Sequence, residues 1–356
     1  MQITHVEVIP VELDLRLPYR TAYTLEGEVS RAALVFVRIE TQQGENAWGC
    51  AAFDPALTGE TLDSVTRICH ACADCAKDLN PLNLEYALSR LMPLIEDAPS
   101  VLCAFDIAFH DLLGLATGLP LHRLLGGYHD RIQTSIAVGL GTVQETVEMA
   151  RDRARQGFRI LKIKGGVDPE IDVHRVRAVA DALSNLVLRL DADGGYTVQQ
   201  ALDVTRALEG RLQMLEQPVA VDAGLDALRQ VTAQSRIPIL ASQSVIGPGS
   251  ALELAGRKAA DGLSIKLATC GGLIRARQVD AIARAAQMMT MVGSLQEPAL
   301  LIAAGLAFAL SSPAVRYGDL DGHFDLVNDP TVSGFIFEDG WLIATDVPGL
   351  GCTVEL

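Results

Sequence analysis

Several features that would point to common protein classes are missing or scarce in this 356-residue chain, in which aromatic residues make up only 5%. No uninterrupted apolar run reaches the roughly 18 residues that a membrane-spanning helix needs, so no membrane span is expected. Basic residues are not in excess, and the net charge of −15 makes nucleic acid and anionic membranes poor partners. The first residues, MQITHVEVIPVELDL, lack the features of a signal peptide, which favours a cytoplasmic protein with a small-molecule ligand.

The seven cysteines are an odd number and are scattered, which favours reduced thiols over a disulfide framework. Cys69, Cys72 and Cys75, beside His70, have a spacing that is compatible with a metal or iron–sulfur site. The surrounding segment, TLDSVTRICHACADCAKDL, is more typical of one helix in which cysteine serves as a small apolar residue. No second cysteine pair completes a site, so we favour the structural interpretation.

From residue 132 onward the chain repeats a short β-rich run, a turn and an amphipathic helix about every 25 residues, which predicts a parallel barrel. The last of the expected strands is followed by a tail with strand-like pieces in place of a helix, so the prediction is an α/β fold with a modified TIM barrel, (β/α)7β. The eight expected strands are 133–138, 160–164, 187–191, 213–216, 239–242, 263–266, 288–293 and 315–319.

The first 125 residues have a different order of strand-like and helix-like segments, which predicts a separate α+β capping domain. Its strands are expected at 3–13 and 32–40, followed by helices at about 60–78, 83–95 and 99–116. We therefore expect a capping domain at 1–125, a catalytic barrel at 126–325 and a tail at 326–356.

Two of the expected barrel strands end in lysines, which indicates a catalytic site. In a parallel barrel the catalytic residues project from the carboxyl ends of the strands. Lys162 and Lys164 end the second strand, and period-two alternation points both into the same interior space. Each should lower the pKa of the other, which would let a lysine act as a base. Lys266 ends the sixth strand, opposite Lys164. A substrate carbon between them could lose a proton to one lysine and gain one from the other.

The third and fourth strands end in carboxylates, Asp191 and Glu216. Their hard oxygen atoms suit Mg²⁺, which would bind a substrate carboxylate and stabilise the enediolate that forms when the α-proton leaves. A single acid at a strand end is more often a solvated or salt-bridged residue. The ordered set of lysines and acids is what favours a site.

Motifs along nearly the whole chain resemble those of the enolase superfamily, in the muconate-cycloisomerase-like (mandelate racemase/muconate lactonizing enzyme) subgroup that contains the dipeptide epimerases. They are SVLCAFDIAFHDLLGLATGLPLHRLLGG, LKIKGG, LRLDADGGY, LEQPV, PILASQSV, SIKLATCGG and YGDLDG. The resemblance implies a capping domain completed by the tail, Mg²⁺ at Asp191 and Glu216, and Lys164 and Lys266 as acid–base catalysts with Lys162 as their charged neighbour. It also implies that Asp319 and Asp321, an Asp-x-Asp after the eighth strand, hold the α-ammonium of a dipeptide.

The chain departs from the family pattern at the fifth strand. The family usually has Asp-Glu there, with the aspartate as third metal ligand, and this chain has Ser242 and Gln243. Two carboxylates and a neutral oxygen can still hold Mg²⁺, but removing a negative charge should weaken its binding. Either substrate, water or Asp193 completes the shell, or the metal is bound weakly or not at all.

A second departure lies in the capping loop, PYRTAYT. The Ala-Glu epimerases resemble one another in carrying an arginine there that meets the substrate's glutamate, and the matching position here is Thr24. Losing that cation favours neutral or hydrophobic dipeptides. Tyr19, Tyr23 and Leu25 could supply an apolar lining for the same wall, although such residues in a loop more often pack against the barrel. Leu295 and Glu297, after the seventh strand, would also contact substrate. Because Glu297 is acidic, a substrate with a cationic side chain remains an alternative.

The sequence therefore predicts an isomerase, a dipeptide epimerase that moves a proton at the α-carbon of the C-terminal residue of neutral or hydrophobic L,L- or L,D-dipeptides. One alternative is another reaction of the same scaffold, muconate-type cycloisomerisation or o-succinylbenzoate synthesis. The other is a homologue that binds a ligand without catalysis. The sequence leaves the oligomeric state open, a homo-oligomer included.

Overall fold

The computed structural model describes residues 1–24, 27–95 and 97–356. Leu25, which we expected to line the ligand wall, lies outside the described residues. The described residues form an amino-terminal α+β part, a barrel of parallel strands and a carboxyl-terminal tail.

The amino-terminal part opens with three antiparallel strands, β1 (Ile3–Tyr19), β2 (Val29–Thr41) and β3 (Asn46–Ala52). Strand β3 was not among the strands expected from the sequence, because its segment NAWGCAA contains no β-branched residue. Its small residues serve close packing, because a Cβ at Gly49 would lie 1.9 Å from the carbonyl oxygen of Ala104. Packing against a helix, rather than intrinsic propensity, therefore determines this strand.

Five helices follow this sheet: α1 (Pro55–Thr58), α2 (Leu62–Ala76), α3 (Leu84–Ile95), α4 (Pro99–Thr117) and α5 (Leu121–Leu125). Cys69 and Cys72 are buried along α2. By length and composition α4 could cross a membrane, but most of it is buried inside the protein, as in the core helix of a folded domain. Asp106 of α4 accepts a hydrogen bond from the backbone N–H of Ile274 (3.3 Å), which attaches this helix to the barrel.

After the short strand β4 (Arg131–Gln133), eight parallel strands form the barrel, each hydrogen-bonded to its neighbour in chain order. A bridge between Thr134 and Gly318 brings the first and last strands together. The expectation of a modified TIM barrel is confirmed. The strands are β5 (Ser135–Val138), β6 (Ile160–Lys164), β7 (Val187–Asp191), β8 (Leu215–Glu216), β9 (Ile239–Ala241), β10 (Gly262–Lys266), β11 (Met289–Gly293) and β12 (Val315–Asp319).

Helices alternate with these strands and cover the barrel. Local sequence signals start several of them. For example, Thr142 caps the first helix through a reciprocal pair of hydrogen bonds with Glu145. The helices are α6 (Val143–Arg155), α7 (Pro169–Ala182), α8 (Val198–Ala207), α9 (Leu225–Gln234), α10 (Pro248–Arg257), α11 (Leu267–Cys270), α12 (Leu273–Ala285) and α13 (Ala299–Ala309).

A short 3₁₀ turn, Gly322–Asp325, follows β12 where an eighth helix would complete a regular barrel. The tail then contains β13 (Thr331–Val332), β14 (Phe335–Glu338), β15 (Trp341–Ala344) and β16 (Thr353–Val354). Strand β15 pairs with β4, beneath the barrel. The tail also contacts the amino-terminal part, where the backbone N–H of Leu350 donates to Asp111 (2.7 Å).

Candidate active site

Lys162 and Lys164 lie side by side on β6, and both line the same cavity of about 1060 Å³ at the carboxyl ends of the strands. Lys164 Nζ donates to Asp191 (2.8 Å) and to both carboxylate oxygens of Asp193 (3.1 Å each). Lys162 Nζ forms an ion pair with Asp319 and lies 3.5 Å from oxygen atoms of both Asp191 and Glu216. Neighbouring carboxylates therefore hold both ammonium groups in place.

The charge of Lys164 does lower the pKa of Lys162, as expected, but the expectation that the lysines end with lowered pKa values is wrong, because carboxylates outweigh this effect. Burial by itself lowers the pKa of Lys164, but the nearby charges of Asp191 and Asp193 outweigh it and raise the pKa. Burial likewise opposes the charge on Lys162, yet Asp319 and the two neighbouring acids raise its pKa as well. The acids come from other strands, so the distance to them, rather than the lysine spacing, decides the sign.

Lys266 ends β10, four strands from β6 in the eight-stranded order, and lines the same cavity as Lys164. Its Nζ donates to Ser242 Oγ at 2.7 Å. The nearest carboxylate is that of Glu216, at 3.9 Å, which is beyond hydrogen-bond distance. The two lysines thus face one cavity from opposite sides of the barrel and have different partners.

Asp191 and Glu216 are adjacent in the barrel, paired across β7 and β8. Both oxygen atoms of Glu216 are buried and have no hydrogen-bond partner in the structure, which is a costly state for a carboxylate and one that a bound cation would relieve. Lys162 and Lys164 hold the pKa of Asp191 well below its ordinary range although burial opposes this, so it stays ionised. These two acids have the hard oxygen donors that suit Mg²⁺.

The third position of such a site is not a carboxylate. Ser242 Oγ accepts a hydrogen bond from Lys266 Nζ, and Gln243 donates a hydrogen bond through Nε2 to Asp193 (2.9 Å). The amide oxygen of Gln243 is buried and has no hydrogen-bond partner, so it is an uncharged ligand atom available to a cation. Across residues 1–24, 27–95 and 97–356, no group of three or more acidic, histidine or cysteine side chains is placed to hold a metal. The residues present fit Mg²⁺ through two carboxylates and neutral oxygen atoms.

The two acids of the Asp-x-Asp occupy different environments. Asp319 is buried, pairs with Lys162 and accepts from Ser135 Oγ (2.6 Å), and it does not line the cavity. Asp321 lines the cavity and accepts from the backbone N–H of Ala137 (2.8 Å). Burial, and then the charge of Asp319, raises the pKa of Asp321 to about 7. Asp321 is thus the acid of this pair that faces a ligand.

Some of the other predicted contact residues line the cavity and others do not. Leu295 lines the cavity. Thr24 does not, because its hydroxyl is hydrogen-bonded to the hydroxyl of Thr21 (2.7 Å) within the loop. Glu297 is 2% exposed and does not line the cavity, and burial raises its pKa to about 8. Tyr19 and Tyr23 do line it.

Sequence reasoning missed two features of the site. Asp54, just after β3, lines the cavity and accepts from the hydroxyl of Tyr23 (3.2 Å). Arg189 is paired in register with Lys162 across β6 and β7 and donates a hydrogen bond to Ser135 Oγ (2.9 Å), which in turn donates to Asp319. A charged residue within the apolar run LRLD was a visible signal for Arg189. Nothing in the sequence marks Asp54.

Family comparisons agree with this geometry. Residues 3–126 match the family described as mandelate racemase / muconate lactonizing enzyme, N-terminal domain, and residues 145–355 match the enolase C-terminal domain-like family. The chain belongs to the mandelate racemase/muconate lactonizing enzyme family of the enolase superfamily. Its relatives include epimerases and a racemase, and the protein is an isomerase of this superfamily.

Named relatives cover the chain end to end. It is 37% identical to the L-Lys-D/L-Arg epimerase of Methylococcus capsulatus, with 99% of each chain covered. It is 31% identical to the hydrophobic dipeptide epimerase of Enterococcus faecalis, covering 99% of this chain and 99% of that protein. The crystal structure of the dipeptide epimerase from Enterococcus faecalis V583 with Mg and L-Leu-L-Tyr superposes with a TM-score of 0.95 at 31% identity, covering 99% of this chain and 100% of that one.

Proposed function

We propose that this protein is a dipeptide epimerase that inverts the α-carbon of the C-terminal residue of L,L- or L,D-dipeptides with neutral, hydrophobic side chains. The observation that carries the proposal is the placement of Lys164 and Lys266 on opposite strands of one cavity that Asp321 also lines. A 1,1-proton transfer with inversion needs an acid–base group on each face of one carbon. An amino-terminal ammonium needs an exposed carboxylate close by.

The chain's own residues supply most of the mechanism. Asp321 binds the dipeptide's ammonium, which places the C-terminal residue between the two lysines. One lysine, as the neutral amine, takes the α-proton, and the lysine on the other face, as the ammonium, delivers a proton to the same carbon, so the two lysines exchange their charge states in each turnover. Lys162, paired with Asp319, contributes a fixed positive charge at the base of the cavity. Mg²⁺ held by Asp191 and Glu216 would supply further positive charge for the substrate carboxylate.

The lining of the cavity supports neutral side chains. Tyr19, Tyr23, Phe53 and Leu57 from the capping domain present apolar surface to it. Arg20 also lines the cavity, but its guanidinium pairs with Glu28 (2.8 Å). An acidic side chain would therefore find no unpaired cation on this wall among the described residues.

A second candidate is a dipeptide with a cationic side chain, and Asp54 favours it. This carboxylate lines the cavity and has no lysine or arginine within salt-bridge distance in the part of the chain that the structure describes. A substrate ammonium or guanidinium could provide the missing charge. The L-Lys-D/L-Arg epimerase among the relatives supports this reading.

Proton NMR in D₂O with Mg²⁺ tests the proposal on a library of dipeptides with hydrophobic, cationic and acidic side chains. The expected result is loss of the α-proton signal of the C-terminal residue and appearance of the second diastereomer. Lys266→Ala should abolish epimerisation and leave exchange for one diastereomer only. Lys77→Ala, which changes an exposed lysine of the capping domain, is the matched control and should behave like wild type.

Two results would argue against the proposal. If no dipeptide exchanges its α-proton, the substrate belongs to another class. If an anionic, amine-free substrate turns over and Asp321→Asn does not reduce that turnover, then a cycloisomerase-type reaction on the same lysines is the better description.

A further inference from the structure

Ser242 is held in one orientation at the end of β9. It is 3% exposed, and its backbone N–H donates to the side-chain oxygen of Gln217 (2.8 Å). Its carbonyl oxygen accepts from the backbone N–H of Val245 (2.8 Å), which closes a turn. The main chain is thus fixed on both sides of the residue, and its hydroxyl lies 2.7 Å from Lys266 Nζ.

This hydroxyl is the one hydrogen-bond acceptor that Lys266 Nζ has among the described residues. Lys164, by contrast, is held by three carboxylate oxygens from Asp191 and Asp193. A lysine side chain has four rotatable bonds and loses considerable entropy when it is ordered. Apart from Ser242, the described structure gives Lys266 Nζ only the carboxylate of Glu216, at 3.9 Å, which is beyond hydrogen-bond distance.

A metal ion and Lys266 would compete for the same oxygen atom. A ligand oxygen lies about 2.1 Å from Mg²⁺. With Lys266 Nζ at 2.7 Å from Ser242 Oγ, both cations would share one neutral hydroxyl. No carboxylate at this position offsets their repulsion, which is strong at such distances in a buried site.

We propose that Ser242 is a positioning residue for Lys266 and not the third metal ligand of this site. It holds Nζ toward the substrate's α-carbon by a hydrogen bond from the ammonium to a neutral oxygen. The role of Lys266 in proton transfer rests on the proposed epimerase function. The choice between lysine and metal as the partner of Ser242 does not.

The first experiment measures α-proton exchange in D₂O separately for each diastereomer of a dipeptide that wild type turns over. Lys164→Ala and Lys266→Ala first establish which diastereomer depends on which lysine. Ser242→Ala should then slow exchange about tenfold for the diastereomer that depends on Lys266, and much less for the other. Ser242→Thr, which keeps the hydroxyl, should restore exchange to within about twofold of wild type.

Ser250→Ala is the matched control. Ser250 follows the same strand, near the start of α10, and its hydroxyl accepts a hydrogen bond from the backbone N–H of Ile246 (3.0 Å) and does not contact a lysine or Gln217. It should leave both exchange rates unchanged. If Ser242→Ala slows both diastereomers equally, or neither, Ser242 does not position Lys266.

The second experiment needs no substrate and therefore stands even if dipeptides are the wrong class. Electron paramagnetic resonance measures the Kd of Mn²⁺, as a probe of the Mg²⁺ site, for wild type and three variants. Ser242→Ala should leave the Kd within about twofold, because the hydroxyl is not a ligand. Ser242→Asp should tighten binding about tenfold or more, and Glu216→Gln should weaken it about tenfold or more.

The metal experiment separates the outcomes. Weaker Mn²⁺ binding in Ser242→Ala, by about tenfold, would make Ser242 a metal ligand and overturn the inference. An unchanged Kd together with one-sided loss of exchange supports it. If wild type turns over no dipeptide, the epimerase proposal fails, while an unchanged Kd would still exclude Ser242 from the metal site.

Discussion

Asp321→Asn should raise KM for a dipeptide roughly ten- to a hundredfold, with little change in kcat. The variant keeps the shape of the side chain and removes the charge that we expect to hold the substrate's ammonium. Because this interaction is present before and during proton transfer, its loss affects binding rather than the chemical step.

The structure gives the magnitude. The Asp321 carboxylate accepts from the backbone N–H of Ala137 (2.8 Å) and, more weakly, from the hydroxyl of Ser294 (3.3 Å). An asparagine has one side-chain oxygen, which would accept the hydrogen bond from Ala137, and its NH₂ group would then face the cavity as a hydrogen-bond donor. A hydrogen bond between charged groups contributes roughly 1.5–3 kcal/mol, which corresponds to the expected change in KM.

Steady-state kinetics against pH provides the assay. The pKa of Asp321 is raised to about 7, so the carboxylate ionises and KM of wild type should fall as pH rises through this value. KM should rise again as the dipeptide's α-amino group loses its proton, near about pH 8. Asp321→Asn should lack the lower limb of this profile.

Asp168→Asn is the matched control, because Asp168 also lines the cavity and caps α7, a role that asparagine fills equally well. It removes one negative charge from the same wall and should leave KM and its pH dependence unchanged. If Asp321→Asn lowers kcat while KM stays at the wild-type value, Asp321 acts in the chemical step and our reasoning is wrong.

Two further predictions concern buried acids outside the cavity lining. Asp319→Asn removes the closest partner of Lys162 and should lower the free energy of unfolding by about 3 kcal/mol in urea titrations; wild-type stability would mean that the pair does not anchor the lysine. Glu297 has a pKa raised to about 8, so stability should fall between about pH 5 and 8 by roughly 1.4 kcal/mol per unit from this group. Glu297→Gln should flatten that slope, and an unchanged slope would contradict the assignment.

The barrel was predictable because parallel strands and helices alternate with a regular period. The expected strands at 160–164, 187–191 and 315–319 coincide with β6, β7 and β12. The expectation at 213–216 was too long, since β8 contains only Leu215 and Glu216. The third strand of the capping sheet was missed because its small residues reflect contact with α4, which no local pattern shows.

The positions of the strand-end residues could be inferred, but their partners could not. A strand end fixes where Lys164 and Lys266 lie in the barrel. The pKa of Lys164 depends on Asp191 and Asp193, which another strand brings within 3.1 Å. Likewise, only the packed structure shows that Asp319 faces Lys162 while Asp321 faces the cavity. Contacts between elements, rather than patterns within them, separate structural from ligand-binding acids here.

The charges of the capping loop bear directly on which dipeptides are accepted. Arg20 would attract an acidic side chain, but its pairing with Glu28 offsets that charge. Both side chains are about half exposed, so their pairing is weak and a strong competitor could displace Glu28. Asp54 has no such partner and keeps the wall unfavourable to anions. Hydrophobic or cationic dipeptides should therefore be epimerised fastest in the library. If acidic dipeptides are epimerised fastest, Arg20 separates from Glu28 when substrate binds.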